Sequence, residues 1–222
     1  MHGFSFSEIA EALQVKPLQQ YSDPMIESLL TDSRKLVFPE KTLFFPISSS
    51  NKNAHLFFAP LYEKGVRCFI AGREFKTIDL SAFPEANIIQ VSDVMAALQQ
   101  IVTRHRHLFT YPVIGITGSN GKTIVKEWIY QLVNERFNIV RNPKSYNSQV
   151  GVPLSVWQMN DAHTLGIFEA GISKPGEMQR LQPIIDPEIG VISFIGDAHN
   201  EGFESMRQKI DEKLQLFTNS RI

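Results

Sequence analysis

The sequence predicts an α/β protein in two parts: a small N-terminal α/β domain over residues 1–110, and a parallel-sheet domain of the phosphate-loop ATPase type over residues 111–222. Two observations lead to it. After Pro112 the chain alternates short, almost wholly apolar runs with amphipathic stretches, the pattern of a parallel sheet covered on both faces. One of those runs passes through the glycine turn Gly118-Ser119-Asn120-Gly121-Lys122-Thr123 straight into a helical pattern. Sheets of this kind bind their ligands at the carboxyl ends of the strands.

In chain order, Ser5 is followed three residues later by Glu8, then by Ile9, Ala10 and Leu13, which fits a capping box opening a short amphipathic helix. Compact apolar runs follow at residues 42–47, 66–71 and 87–91. Each is short, rich in Phe, Ile or Val, and bounded by Pro, Gly, Ser or Asn, which marks strands. Residues 93–108 read as a helix with Asp93 as N-cap and Met95, Leu98, Ile101 and Val102 on one stripe. The first domain ends near Tyr111-Pro112. Beyond it, strands are expected at 113–117, 138–140, 165–169 and 189–194, and helices at 122–135, 152–159, 176–181 and 205–217. The chain shows no internal repeat and no low-complexity segment.

With 43% hydrophobic and 20% charged residues, the 222-residue chain can bury a substantial core. Its 22 Lys plus Arg stand against 23 Asp plus Glu, so no basic excess is available for a nucleic-acid backbone, and nucleic acid is not expected as a partner. Cys68, the one cysteine, lies in the apolar run Val66-Arg67-Cys68-Phe69-Ile70 and reads as a small buried hydrophobe. The N-terminus carries Glu8 and Glu11 and lacks the basic start and apolar stretch of a signal peptide. No later stretch approaches the roughly 20 apolar residues that span a bilayer. A cytoplasmic setting without membrane contact is expected.

The turn at 118–123 has the context of a phosphate loop. Glycines let backbone N–H groups turn inward around phosphate oxygens, and the following helix presents its positive end to the same anion. Lys122 would reach the β- and γ-phosphates of ATP, and the Thr123 hydroxyl would ligate Mg²⁺. Taken without its flanks, the hexapeptide is also a tight strand-to-helix turn with an exposed lysine. The generic G-x-x-x-x-G-K-[ST] spacing wants glycine at position 116, where this chain has Ile116.

Ile116-Thr117-Gly118-Ser119-Asn120-Gly121-Lys122-Thr123 resembles the T-G-[ST]-N-G-K-T loop of the Mur ligases and folylpolyglutamate synthetases, whose glycine spacing departs from the generic one in the same way. Asp32-Ser33-Arg34 and the stretches at 146–154, 169–177 and 195–213 further resemble the MurF-type branch of the Mur ligase family, so that the resemblance covers essentially the whole chain. Phe168-Glu169-Ala170-Gly171-Ile172 with Pro175-Gly176-Glu177 is similar to that branch's E-x-G-x-x-x-x-G-E pattern, which implies Glu169 as a Mg²⁺ ligand at a strand end. A solvated strand-end charge is the other reading of Glu169. Ile195-Gly196-Asp197-Ala198-His199-Asn200-Glu201-Gly202-Phe203 resembles I-x-x-A-H-x-E-x-F, in which the histidine is a metal ligand, implying that role for His199. Lys213, fourteen residues on, matches the family lysine whose carbamate ligates a second Mg²⁺; beside Glu212 and with Lys209 on the same helix, it also reads as a solvated helix lysine. Asn147 matches the family's N-x-N-N-x-x-G-x-P stretch as a nucleotide contact, although Ser145 and Ser148 replace two of its asparagines.

In the first domain, the resemblance implies that Ser33 and Arg34 help hold a UDP-sugar, and a planar guanidinium suits paired phosphate or carboxylate oxygens. Asn53-Ala54-His55-Leu56-Phe57 stands where the family has D-G-H-x-F, and with Ala54 in place of glycine His55 reads as a family contact or as a surface-loop residue. The implied activity is ATP-driven amide bond formation in peptidoglycan precursor synthesis, with Lys122, His199 and Lys213 at the reaction centre and UDP-N-acetylmuramoyl-tripeptide and D-alanyl-D-alanine as substrates. Mur ligases carry a further C-terminal domain, so this chain is expected to be a truncated part of such an enzyme, inactive by itself, and some MurF-type chains are fused to an alanine racemase. The alternatives are a nucleotide and UDP-sugar binding module without turnover, or another Mur or folylpolyglutamate-type ligase. A phosphate-loop GTPase is disfavoured because the N-K-x-D guanine motif is absent.

Overall fold

A computed structural model describes residues 3–47, 54–73, 79–196 and 202–220. The chain divides into two compact units, Met1–Ile101 and Val102–Ile222.

The first unit opens with the expected capping box. Ser5 Oγ accepts from the Glu8 N–H at 3.2 Å, and the Glu8 carboxylate accepts from the Ser5 N–H at 2.7 Å. This starts helix α1 (Phe6–Ala12), which buries Phe6 and Ile9. Strand β1 (Phe4–Ser5) pairs antiparallel with β2 (Met25–Ile26). The main sheet is parallel throughout, with β3 (Ser28–Leu30), β4 (Thr42–Phe44), β5 (Cys68–Gly72) and β6 (Asn87–Val91) side by side in chain order. Three of these strands were legible as apolar runs. β3 was not, because its Leu29-Leu30 pair stands between Ser28 and Thr31 and makes no apolar run. Helices α2 (Phe58–Glu63) and α3 (Val94–Arg106) follow, and Asp93 caps α3 by accepting the Ala96 N–H at 3.0 Å. Leu30, Phe44, Phe58, Phe69 and Ile88 form the core, where the Phe58 and Phe69 rings lie 4.7 Å apart. Cys68 is buried as expected, and burial pushes its thiol up to about 12.

The second unit holds four parallel strands, β7 (Val113–Thr117), β8 (Ile139–Arg141), β9 (Leu165–Glu169) and β10 (Ile189–Ile192), in the spatial order β10, β7, β9, β8. The order reverses beside β7, and such a switch point opens a crevice at the carboxyl ends of the strands. Helices α4 (Lys122–Val133), α5 (Gly151–Val156), α6 (Glu177–Ile185) and α7 (Met206–Leu214) connect or flank them. Val125 and Ile129 of α4 pack on Ile116, Leu165 and Ile167 of the sheet. α6 runs past the expected end at residue 181 and through Pro183, because Ile184 and Ile185 are fully buried and their burial outweighs the hydrogen bond lost at proline. β10 departs from the expected two-sided cover: Ile189 and Ile192 are 48% and 43% exposed, and Phe194 makes only an isolated bridge to Asn120. At the other end of the sheet, the buried Arg106 donates to the carbonyls of Ile185 (2.9 Å), Phe109 (2.9 Å) and Asp186 (3.0 Å).

Phe69 is fully enclosed by aromatic and aliphatic neighbours. Phe69→Ala should therefore lower the unfolding free energy by about 3–5 kcal/mol, read from urea denaturation. A loss under about 1 kcal/mol would mean that this core collapses around the cavity.

Candidate functional site

The site forms at the carboxyl end of β7. The Thr117 hydroxyl is buried and donates to Ala170 O at 3.1 Å, so the ends of β7 and β9 are tied together. The chain then turns through Gly118 (φ +144°) and Gly121 (φ +82°), backbone conformations that residues with a Cβ seldom adopt. At Gly118 a Cβ would also run into Ser193 Oγ, which lies within hydrogen-bond distance of Thr117 O and Asn120 O. α4 begins at once with Gly121 as its cap, so its first N–H groups lack intrahelical acceptors and concentrate positive potential at the mouth of the loop. Ser119 and Asn120 spend their N–H groups on Phe194 O, at 2.6 and 3.4 Å, and Ser119 Oγ donates to Gly196 O at 3.1 Å. The segment after β10 thus braces one side of the loop.

Lys122 Nζ folds back onto Gly118 O (2.8 Å) and Ser119 O (3.1 Å). Burial lowers its pKa, with Glu169 pulling the other way. Glu169, the last residue of β9, has no exposed surface, so it is not a solvated strand-end charge. Thr123 Oγ1 donates to its carboxylate, 2.9 Å from Oε2 and 3.2 Å from Oε1, and Asn147 Nδ2 lies 3.4 Å from Oε1. Ser145 Oγ is 3.2 Å from Thr123 Oγ1, so the serine that departs from the expected asparagine keeps an oxygen at the site.

Lys213 on α7 is 2% exposed and donates to Gly118 O at 3.1 Å. Burial first, then the neighbouring Lys122 and Lys209 ammoniums, push its pKa down to about 8. Lys209, one turn earlier on the same face, is equally buried and donates to Gly196 O. The solvated-helix reading of Lys213 therefore fails. A cavity of about 320 Å³ opens beside these groups, with Gly118, Lys122, Asn147, Gly171, Glu177 and Lys213 in its wall. Glu177 shapes the far wall by accepting the N–H groups of Ser173 (2.6 Å) and Lys174 (3.1 Å), while Glu212 accepts that of Gly176 (2.9 Å).

Thr123, Glu169 and Ser145 present oxygen donors of the hard type that Mg²⁺ prefers, while Asn147 turns its amide nitrogen to the Glu169 carboxylate. Among the described residues no three His, Cys, Asp or Glu gather into a self-sufficient metal cage. One carboxylate with a hydroxyl is nevertheless what Mg²⁺ takes when phosphates and water complete its shell.

In this unit the fold brings together Gly118, Ser119, Asn120, Gly121, Lys122, Thr123, Asn147, Glu169 and Lys213. His199 lies outside the described residues, as does the side chain of His55. Ser33 and Arg34 belong to the first unit. There Asp32 caps the turn Ser33–Lys35, and the Arg34 guanidinium grips the same carboxylate through Nε (2.8 Å) and Nη2 (2.7 Å), holding the Asp32 carboxyl at about 2. Arg34 remains 87% exposed. Sequence reasoning missed Asn142, a buried side chain that accepts the Glu169 N–H at 2.6 Å and donates to Tyr146 O at 2.6 Å. Its one signal was an asparagine before a proline at a strand end.

Residues 116–222 match the model of the Mur ligase middle domain. The chain is 30% identical over 199 residues to the UDP-N-acetylmuramoyl-tripeptide--D-alanyl-D-alanine ligase of Bacillus subtilis, covering 89% of this chain and 42% of that protein. The enzyme of the same name from Treponema pallidum is 29% identical over 96% of this chain and 48% of its own length. The chain therefore spans about half the length of these curated relatives. Its fold is similar to a crystal structure of MurF from Acinetobacter baumannii, with a TM-score of 0.85 at 24% identity over all of this chain and 47% of that one. A structure of MurF ligase from Thermotoga maritima in complex with ADP is similar at a TM-score of 0.75 and 24% identity, over 87% of this chain and 43% of that one.

Two outcomes follow from the geometry. Gly118→Ala should cost about 1–3 kcal/mol of stability, since it adds backbone strain and a clash with Ser193; thermal unfolding would read it. Lys213 titrates near 8 in the folded chain against an ordinary 10.5, so between these values the unfolded chain binds more protons and the contribution of this position to stability rises with pH. Wild-type stability should accordingly gain on that of Lys213→Met as pH is raised from about 8 to 10.5, and the two should run parallel below about pH 7. A pH-independent difference would show that the amine is not desolvated.

Proposed function

Because this chain belongs to the Mur ligase family, we propose that it supplies the ATP site and the UDP-sugar site of an amide ligase that joins D-alanyl-D-alanine to UDP-N-acetylmuramoyl-tripeptide in peptidoglycan precursor synthesis. The observation behind this proposal is the Glu169 carboxylate, fully buried and hydrogen-bonded to Thr123 on the first turn after the glycine loop. A carboxylate beside a triphosphate is repulsive unless a cation lies between them. Its presence at the mouth of an anion-binding loop supports a nucleotide–Mg²⁺ site over a plain anion site.

In the proposed reaction a carboxylate oxygen of the tripeptide attacks the γ-phosphorus of ATP. The bond to the β–γ bridging oxygen breaks, and ADP leaves an acyl phosphate. The amine nitrogen of D-alanyl-D-alanine then attacks the acyl carbon, the C–O bond to phosphate breaks, and the nitrogen sheds its proton. Protein groups contribute mainly positioning and charge neutralisation to phosphoryl transfer. Here the free N–H groups at the start of α4 and Lys122 would hold the phosphates, Asn147 would border the nucleotide, and Ser33 and Arg34 would grip the UDP-sugar. Mg²⁺, when held by Thr123, Glu169 and, by motif, His199, would neutralise charge on the phosphates. An ammonium has no lone pair for a metal and Mg²⁺ prefers oxygen ligands, so Lys213 would join such a shell as the carbamate formed when its neutral amine adds CO₂ and releases a proton, and its lowered pKa favours that amine.

Isothermal calorimetry tests both sites. Lys122→Ala should weaken ATP·Mg²⁺ binding by at least about tenfold, and unchanged affinity would remove the nucleotide site. Arg34→Ala should weaken UDP-N-acetylmuramoyl-tripeptide binding and leave ATP binding alone. Binding of a folate in place of the UDP-sugar would redirect the proposal to the folylpolyglutamate branch.

A further inference from the structure

Lys126 on α4 is a lysine with no exposed surface, and neither the loop chemistry nor the cavity uses it. Removing an ammonium from water is costly unless its donors are met. Its Nζ donates to Asn142 O at 2.7 Å and to Lys144 O, and it lies 3.4 Å from Glu127 Oε1. Both carbonyls belong to the turn after β8. That turn passes through Lys144 at φ +51°, a left-handed conformation in a residue with a full side chain, which is held only where the surroundings enforce it.

The turn carries three groups that meet the candidate metal and phosphate site. Asn142 Oδ1 accepts the Glu169 N–H at 2.6 Å, Ser145 Oγ lies 3.2 Å from Thr123 Oγ1, and Asn147 Nδ2 lies 3.4 Å from Glu169 Oε1. Lys126 sits one helical turn after Lys122, so the helix that ends the phosphate loop also carries the ammonium that fixes the opposite wall.

We infer that Lys126 is a positioning residue: its buried ammonium pins the 142–147 turn in its left-handed form and thereby holds Asn142, Ser145 and Asn147 against Glu169 and Thr123. This role presupposes the nucleotide–Mg²⁺ site proposed above. It places Lys126 on the metal side of that site. The phosphate-gripping side, built from the glycine loop and Lys122, does not depend on it.

The test compares wild type, Lys126→Met and the double variant Lys126→Met/Lys144→Gly in the whole chain. Methionine keeps the length of the side chain and removes the donor. Glycine at 144 adopts the left-handed conformation without strain and so restores the turn by another route. Two readouts are taken: amide hydrogen exchange across residues 142–151 without ligand, and ATP affinity by calorimetry in Mg²⁺ and in EDTA. In Lys126→Met, exchange in the turn should rise about tenfold or more, and the Mg²⁺-dependent gain in ATP affinity should fall about tenfold, while affinity in EDTA stays within about twofold. The double variant should recover both. Should Lys126→Met fail to fold, the double variant decides: a restored Mg²⁺ gain supports the role, and no gain overturns it. Unchanged exchange in Lys126→Met, or equal losses of ATP affinity with and without Mg²⁺, would overturn the inference. If wild type binds no ATP at all, the nucleotide site itself is lost, and that result is distinguishable because the exchange readout needs no nucleotide.

Discussion

Burying a carboxylate costs several kcal/mol unless its lone pairs are met, and Glu169 is held at the end of β9 with no exposed surface. Everything near the candidate site arranges itself around that constraint. Thr123 and Asn147 donate to the carboxylate, and Asn142 anchors its backbone. Thr123 can reach it only because the glycine loop turns within four residues and starts α4 beside β9. The parallel register of β7 and β9, which sets Ile116 opposite Glu169, fixes the height at which loop and carboxylate meet.

A second constraint is electrostatic. The chain as a whole has a formal charge of −1, yet Lys122, Lys126, Lys209 and Lys213 cluster in the interior of the second unit around the loop and the turn beside it. Glu169 lies near Lys122, and Glu127 lies near Lys126. Three of the four lysines are almost without exposed surface, so their attraction for an anion is little screened by water and salt. The depressed pKa of Lys213 comes first from its burial and then from this crowding by Lys122 and Lys209. A polyanion at the cavity would relieve the repulsion, which agrees with the nucleotide site proposed above.

The first unit shows the same logic at smaller scale. Its four parallel strands bring the segment after β3 to a sheet edge, where Asp32 caps a single turn and clamps Arg34. The clamp leaves the guanidinium charged, oriented and exposed. An ion pair exposed to water contributes about 0–1 kcal/mol to stability. The clamp fixes the direction in which the guanidinium points.

The sequence by itself determined the elements whose cause is local. The capping box at Ser5 and Glu8, the apolar strands at 113–117 and 165–169, and the glycine turn into α4 are all set by residues within one turn or one strand of each other. The glycine loop and Glu169 sit at the carboxyl ends of two apolar strands, whereas Asn147, in the loop between β8 and α5, was reached only through the family resemblance of its stretch. Tertiary structure alone decided the rest. The three-residue β3 exists because neighbours pair with it, and α6 crosses Pro183 because two isoleucines beyond it are buried. Whether Glu169 and Lys213 were solvated or enclosed could not be read from a string in which 44 residues separate them. Lys126 carried no signal, and Asn142 only that of an asparagine before a proline, because the groups they hold lie 16 and 27 residues away. A polar side chain declares its role through desolvation and through the partners the fold brings to it, and both are properties of packing.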